Sequence, residues 1–191
     1  MKCNGRFGPQ QGATVVEFAL IVSVFLMFIF LILEIARLMF LYNTLQVVTR
    51  RAASGSAVSD FSKSADMDLL RQRAIFRTTP GSLVLMPELT DNAVRIDYLS
   101  LSRGSDGTLT MQSVGGGSAP SSPGENRKNC KNGMYAANCL RFVRVRICDP
   151  SDTGSCTPIK FSPLFSMIST ATHLPVATTI TPLQSLGATP N

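Results

Sequence analysis

The stretch that decides the fold runs from Phe18 to Leu33 and reads Phe-Ala-Leu-Ile-Val-Ser-Val-Phe-Leu-Met-Phe-Ile-Phe-Leu-Ile-Leu. None of these 16 residues carries a formal charge. Extended back to Ala13, the segment has 21 residues and one acid, Glu17, and about 20 residues suffice for a helix to cross the hydrocarbon core. A core helix of a small protein keeps a polar face, which this stretch lacks. The stretch therefore predicts a transmembrane helix.

The composition of the whole chain agrees with a membrane protein. The 191 residues are 45% hydrophobic and only 16% charged, whereas soluble domains have about 25% charged residues. An ordinary soluble enzyme is therefore disfavoured. The net charge is +6, but the basic residues are scattered and no basic run alternates with aromatic residues, so nucleic-acid binding is not expected. Once the membrane helix is set aside, the remaining length suits one domain.

A cleaved secretory signal peptide is the first alternative to a membrane anchor. Its apolar region has about 7–15 residues and ends at a cleavage site of small residues. Here the apolar stretch is longer, and the first cluster of small residues, Ala52-Ala53-Ser54, lies too far downstream. We therefore expect a membrane helix that is not removed as a signal peptide, preceded by a short, basic, glycine-rich leader at residues 1–12.

Glu17 is an acid near the start of an apolar helix. A carboxylate at the centre of a membrane helix costs about 2.5–3.5 kcal/mol, and less near the interface. Tolerance at the headgroup level is one explanation. The other is cleavage after Gly12, which would give Ala13 a new α-ammonium. In a bundle of such helices, Glu17 could then pair with the ammonium of a neighbouring helix.

The segment from Gly12 to Ala53 resembles a known family. Gly12-x-x-x-x-Glu17-Phe18 ahead of an apolar stretch is similar to the processing site of type IV pilin-like proteins, in the form used by the tight-adherence (Flp pilus) branch. The following residues, Ala-Leu-Ile-Val and later Glu34-Ile-Ala-Arg37 with a Leu/Tyr-rich continuation, resemble the TadE-like minor pseudopilin family. The resemblance covers about residues 12–54.

This resemblance implies a pilin-like protein of the bacterial inner membrane. A prepilin peptidase would cleave between Gly12 and Ala13, and the helix would pack among the major pilin and other minor pseudopilins at the inner-membrane assembly platform. The expected function is to assist assembly, priming or secretion of a tight-adherence pilus. The alternative is a single-pass anchored binding or sensor domain that keeps its leader.

Beyond the bilayer the helix becomes amphipathic. Glu34 and Arg37 are neighbours on a helix surface because they are three residues apart, and we expect them to mark the far membrane interface. After them, apolar residues recur at spacings of three and four, namely Leu38, Leu41, Leu45, Val48 and Ala52. Ser54-Gly55-Ser56 is the expected end, which places the transmembrane and amphipathic helix at residues 13–54.

Residues 55–191 should form an extracytoplasmic head of α+β class. Alternating apolar residues and turn signals predict short elements: a helix at Met67–Phe76, strands at Val94–Tyr98, Thr108–Val114, 141–147 and Val176–Thr181, and a short helix at Pro163–Ser169. In strand 141–147, Val143, Val145 and Ile147 should face the core. Residues 114–126 read as a flexible loop from their Gly, Ser and Pro content. The expected architecture is pilin-like: a long helix packed on a small antiparallel β head.

Four of the five cysteines lie in the head, and Cys3 lies in the leader. Four cysteines allow three pairings. Their spacings do not match metal knuckles, so we expect disulfides between the local pairs Cys130–Cys139 and Cys148–Cys156. Disulfides imply an oxidising compartment such as the periplasm. The charges around the helix conflict, with Lys2 and Arg6 before it and Arg37 after it, and the cysteines favour a cytoplasmic N-terminus and a periplasmic head.

The sequence shows no pattern of a catalytic or cofactor site. The single histidine, His173, has no acid near it in sequence. There is no Gly-x-Ser-x-Gly elbow, Walker loop or Gly-x-Gly-x-x-Gly motif. We therefore expect no catalytic residues, no metal and no cofactor, and a function in assembly rather than catalysis.

Overall fold

The computed structural model of the chain describes residues 12–152, 154–164 and 173–184. The leader with Cys3 and most of the predicted helix at Pro163–Ser169 lie outside the described residues. Two compact units are present. Of the described residues, the first unit comprises 12–40 with 163–164, and the second comprises 41–152, 154–162 and 173–184. The fold is of the predicted α+β class, with a long apolar helix at the N-terminus and antiparallel sheets after it.

Helix α1 (Ala13–Val58) has 46 residues and passes through the predicted stop at Ser54–Ser56. The prediction of its end was wrong by about one turn. Gly55 is compatible with the helix because it lies against α2 (Ser64–Ala74), where an added Cβ would come within 3.0 Å of Leu70 Cδ1. The glycine that reads as a helix breaker in the sequence is therefore a point of close helix packing.

The last five turns of α1 form the core of the second unit. Apolar side chains on one face of the helix are almost fully buried, and these are Leu41, Leu45, Val48, Ala52, Ala53 and Ala57. From Leu41 onward, the predicted apolar stripe of α1 thus packs inside the protein's own head.

The head contains a four-stranded antiparallel sheet in the order β4-β3-β5-β6. Its strands are β3 (Val94–Arg103), β4 (Leu109–Ser113), β5 (Leu140–Ile147) and β6 (Thr178–Pro182). All four overlap predicted strands. A separate two-stranded sheet, β1 (Ser82–Leu83) with β2 (Met86–Thr90), was not predicted.

One face of the four-stranded sheet, the helix face, packs on α1. Val143, Val145 and Ile147 of β5 lie on this face and are buried, as predicted. Tyr98 of β3 donates its hydroxyl hydrogen to the carbonyl of Ser56, at 3.3 Å. Burial raises the pKa of the Tyr98 phenol, so the group remains a donor at all ordinary pH values.

Around Asp97, the opposite, outer face of the sheet carries charged side chains. Asp97 accepts hydrogen bonds from Arg144 at 3.1 Å and from Arg146 at 2.7 Å. One carboxylate thus lies between two guanidinium groups, each on the neighbouring strand β5. Such pairs are charge-assisted, and they fix the register of the central strands.

The predicted flexible loop at 114–126 is shorter than expected because α3 (Pro123–Asn132) begins inside it. Ser122 caps this helix by accepting a hydrogen bond from the backbone N–H of Glu125. Pro123 then occupies the first helical turn, a position where its missing N–H costs nothing. Helix α3 was not predicted, because its residues are mostly polar and show no apolar period.

Two disulfides close short loops in the head. They join Cys130 to Cys139 and Cys148 to Cys156, with Cα–Cα distances of 4.8 Å and 4.9 Å. These are the same pairs that the sequence analysis expected. The first disulfide ties α3 to the residue before β5, and the second closes the turn after β5.

Candidate functional site: the exposed N-terminal helix

The start of α1 coincides with the predicted processing site. Gly12 lies in an exposed turn immediately before the first helical residue, Ala13, and its carbonyl accepts the N–H of Val16 at 3.3 Å. An added Cβ at Gly12 would meet nothing within 4 Å. The fold itself therefore does not require a glycine at this position.

Glu17 lies in the second turn of α1 and is exposed. Among the residues that the structure describes, no hydrogen bond or ion pair is formed by its carboxylate. Phe18, next to it, is 69% exposed. The structure thus presents an unpaired acid on an otherwise apolar helix surface.

The first half of α1 exposes apolar side chains all around the helix. Its most apolar 18-residue window has no buried share, and within the described ranges it is the one helix long and apolar enough to cross a membrane. The hydroxyl of Ser23 is satisfied by the carbonyl of Ala19 at 2.7 Å. Each of the following large side chains is at least 55% exposed: Phe25, Met27, Phe28 and Ile32. Such a surface is stable in lipid or against other helices, and it indicates a membrane anchor.

Glu34 and Arg37 form the ion pair that their spacing predicts. The distance from Arg37 Nη1 to Glu34 Oε1 is 3.3 Å, and the two side chains are 10% and 7% exposed. Glu34 Oε1 also accepts the backbone N–H of Leu164 at 3.3 Å, a contact that the sequence did not indicate. Glu34 Oε2 is buried and has no hydrogen-bond partner among the described residues.

The clefts of the head do not assemble a catalytic constellation in the described part of the chain. A cleft of about 510 Å³ between the end of α1 and α2 is lined by both acids and bases. These charged residues are Arg51, Asp60, Lys63, Asp66 and Arg73. No group of three or more His, Cys, Asp or Glu side chains with a metal-binding arrangement occurs within residues 12–152, 154–164 and 173–184. His173 is exposed and pairs through its backbone with Lys160.

The structure places the predicted site residues in two groups on α1. Gly12, Ala13, Glu17 and Phe18 occupy the turn before the helix and its first two turns, whereas Glu34 and Arg37 lie at the end of the apolar stretch. What sequence reasoning missed is the backbone contact of Leu164 with Glu34. A bond between residues 130 positions apart leaves no local pattern in the sequence.

Comparison with known proteins gives one match. The family model described as TadE-like protein matches residues 12–54, which is the span of the predicted resemblance. No curated protein and no solved structure matches the chain. The match covers the exposed half of α1, its Glu34–Arg37 pair and most of its buried half. The predicted resemblance is thus confirmed over this segment: the N-terminal helix of the chain is similar to the helix of TadE-like proteins, and its exposed apolar surface indicates a membrane anchor.

Proposed function

We propose that this protein is a minor pseudopilin that assists assembly, priming or secretion of a tight-adherence pilus. In this proposal it spans the bacterial inner membrane once, with residues 1–12 in the cytoplasm and the head in the periplasm. A prepilin peptidase removes residues 1–12. The remaining helix then packs with the major pilin and other minor pseudopilins at the assembly platform.

The observation that carries the proposal is the unpaired Glu17 on the exposed apolar half of α1. A carboxylate on a helix in lipid is costly without a partner. The α-ammonium that cleavage creates at Ala13 on a neighbouring helix supplies one. Because the family match covers the same segment, the exposed helix is the part of the chain that favours an assembly function.

The surroundings of Gly12 support processing at that position. No steric contact and no unusual backbone conformation at Gly12 calls for a glycine in the folded protein. A peptidase that must fit the backbone closely in its cleft does benefit from a residue without a side chain. The proposed cleavage thus explains a glycine at position 12, which the folded structure does not require.

The disulfides support the proposed orientation. Both join residues of the head, and disulfides persist in oxidising compartments such as the periplasm. A periplasmic head requires a cytoplasmic N-terminus, because α1 is the single candidate span among the described residues.

Intact-mass analysis of protein extracted from membranes tests the processing step. We expect a mass that lacks residues 1–12 in cells with the prepilin peptidase, and the full-length mass in cells without it. Gly12→Leu should keep the full-length mass in both. A full-length mass in cells with the peptidase would favour the alternative, an anchored binding or sensor domain that keeps its leader.

Replacement of Glu17 tests the assembly contact. Glu17→Ala should leave membrane insertion unchanged and weaken co-purification with pilins, because the neighbour's ammonium loses its partner. Ser23→Ala is the matched control, since Ser23 lies on the same exposed stretch but bonds to its own helix. Unchanged co-purification of the Glu17→Ala protein would contradict the pairing.

A further inference from the structure

Both outer strands of the four-stranded sheet have an open edge. On β6, Ile147 donates to the carbonyl of Ala177, and Leu183 donates to that of Arg141. Ladder bonds in an antiparallel pair fall on every second residue. The backbone groups of Thr178, Ile180 and Pro182 therefore point away from β5, and within the described ranges no other segment bonds to them.

The same reasoning fixes the edge of β4. Val114 donates to the carbonyl of Tyr98, and Gly104 donates to that of Thr108. The even-numbered residues of β4 thus bond to β3. The odd-numbered residues, Leu109, Met111 and Ser113, point their N–H and C=O groups outward.

The two edges have little of the usual protection against pairing. Proteins keep edge strands apart with charged side chains, bulges or prolines, but the sequences of β4 and β6, Leu-Thr-Met-Gln-Ser and Thr-Thr-Ile-Thr-Pro, contain no charge. Pro182, at the end of β6, is the one such device on these two strands. Large apolar side chains stand exposed on them, with Leu109 at 56%, Met111 at 49% and Ile180 at 47%.

The two edges are complementary to each other. Because all neighbouring strands are antiparallel, β4 and β6 run in opposite directions. A second copy in the same orientation, displaced sideways, therefore brings its β6 antiparallel to β4. Without a shift along the strands Ser113 would meet Pro182, because both are level with Leu99. A further shift of four residues, about 13 Å along the strands, aligns the outward-pointing residues as Leu109 with Pro182, Met111 with Ile180 and Ser113 with Thr178, so that apolar meets apolar and polar meets polar.

The side chains of this alignment also lie on one side. Met111 is on the outer face because its partner on β3, Leu101, lies four residues from Asp97, and residues an even number of positions apart point to the same side of a strand. Leu109, two residues from Met111, is on the same face. Ile180 pairs with Arg144 of the outer face. Residues in a hydrogen-bonded antiparallel pair point to the same side of a sheet, so the alignment needs no rotation of either head. It allows about five backbone hydrogen bonds, since Pro182 lacks an N–H.

We propose that β4 of one copy pairs with β6 of a second copy, so that the heads form a row with one continuous sheet. The inference rests on the proposed function, because anchorage in one membrane keeps the heads of neighbouring copies close together on the same side. Pairing of β4 with β4 of another copy about a two-fold axis is the competing arrangement, and the single-cysteine controls below distinguish it. A head-to-tail contact does not close on itself, so it adds copies at both ends.

The uncharged edges present no repulsion, but a contact of five residues a side is small. It falls below the about 1,000 Å² that a stable interface between soluble proteins needs. The row therefore forms where the membrane and the helices hold copies close together, and the detergent-dispersed protein is monomeric at low concentration.

Cysteine crosslinking in membranes of the full chain tests the pairing. In a Cys3→Ser background, Met111→Cys combined with Ile180→Cys places the two Cα atoms about 5.5 Å apart across the contact, within disulfide range. Within one copy β4 and β6 are three strand spacings apart, about 14 Å, and the two positions are also offset by four residues along the strands, so an internal bond cannot form. We expect a ladder of dimers, trimers and larger species on oxidation. Ser113→Cys with Thr178→Cys is a second pair that should give the same ladder.

The controls separate the other arrangements. Met111→Cys alone or Ile180→Cys alone should stay monomeric, and a strong dimer from Met111→Cys alone would overturn the head-to-tail contact in favour of a two-fold one. Leu109→Cys with Thr178→Cys shifts the register by four residues, about 13 Å, and should not crosslink. Crosslinks of the paired variants to a different pilus protein, identified by mass spectrometry, would overturn the identity of the partner.

The crosslinking result can be distinguished from the result of the processing and co-purification tests of the proposed function. If both paired variants stay monomeric while the protein still co-purifies with pilins, the row is wrong and the proposed function stands. If the ladder forms while the leader is retained in cells that contain the prepilin peptidase, and the protein does not co-purify with pilins, the row stands and the pseudopilin function is wrong.

Discussion

At the residue scale, Asn126 joins helix α3 to strand β5, a contact that no pattern in the sequence indicates. Its side-chain amide donates to the carbonyl of Leu140 at 3.1 Å and accepts the N–H of Leu140 at 2.7 Å. Both residues are buried. The amide thus replaces a strand neighbour at the start of β5, and it fixes α3 against the sheet.

Replacement of Asn126 should destabilise the head. Asn126→Ala leaves both backbone groups of Leu140 buried without partners, which costs about 1–3 kcal/mol for each unsatisfied group. Thermal unfolding of the full chain in detergent, followed by near-ultraviolet circular dichroism, measures the loss. Asn129→Ala, which removes an exposed 3.4 Å bond to the carbonyl of Asn138, is the control and should change the midpoint little. Equal midpoints for both variants would contradict the role of Asn126.

Asp152 makes the turn closed by Cys148–Cys156 sensitive to acid. Its carboxylate accepts the backbone N–H groups of Thr157 and Gly154 and the hydroxyl of Ser155. These bonds, that from Thr157 first, hold the pKa of Asp152 below its ordinary value. In the unfolded chain the group titrates near its ordinary pKa of about 3.9.

Because the folded-state pKa is the lower one, the contribution of Asp152 to stability is complete above about pH 4 and is lost as the pH falls through the folded-state value. We expect the carboxyl carbon of Asp152 to titrate below the usual range in an NMR experiment. Asp152→Asn should abolish the acid-dependent change in the amide signals of Gly154 and Thr157. An ordinary pKa for Asp152 would contradict the hydrogen bonds described.

At the scale of elements, the sequence predicts the helices and strands whose apolar residues recur with a helical period or alternate with polar ones. The apolar run and the stripe from Leu38 to Ala52 predict α1, and the alternation in Val94–Tyr98 and 141–147 predicts β3 and β5. The elements that were missed lack these signals. Strand β1 has two residues, β2 contains Pro87 and Glu88, and α3 is polar throughout. Their positions follow from tertiary contacts, such as that of Asn126, rather than from local pattern.

The candidate site is predictable to a similar degree. Gly12, Glu17 and the Glu34–Arg37 spacing are local features and stand out in the sequence. The open edges of β4 and β6 do not, because an edge exists only once the strand order is known. Strand order depends on which distant segments pair, and no period in a single sequence records it.

At the scale of the whole molecule, α1 serves two purposes that substitutions can separate. Leu45 is 2% exposed in the core of the head, whereas Phe25 is 60% exposed on the apolar half. Leu45→Ala should therefore lower the free energy of unfolding of the head by about 2–5 kcal/mol. Phe25→Ala should leave it unchanged and instead reduce co-purification with pilins.

Two measurements on the same two variants check this separation: thermal unfolding in detergent, and co-purification from membranes at a temperature where both heads are folded. If Phe25→Ala destabilises the head as strongly as Leu45→Ala, the exposed half of α1 is part of the folded core and does not await a partner.

The local span of the two disulfides has a consequence for biogenesis. Each bond joins cysteines only 9 or 8 positions apart, and the second loop begins after the first has closed. In the proposed topology the head is exported, and its thiols then emerge in the order in which they pair. An oxidant that joins each new free thiol to the free thiol before it forms the two native bonds directly, so we expect maturation of the exported head not to depend on a disulfide isomerase.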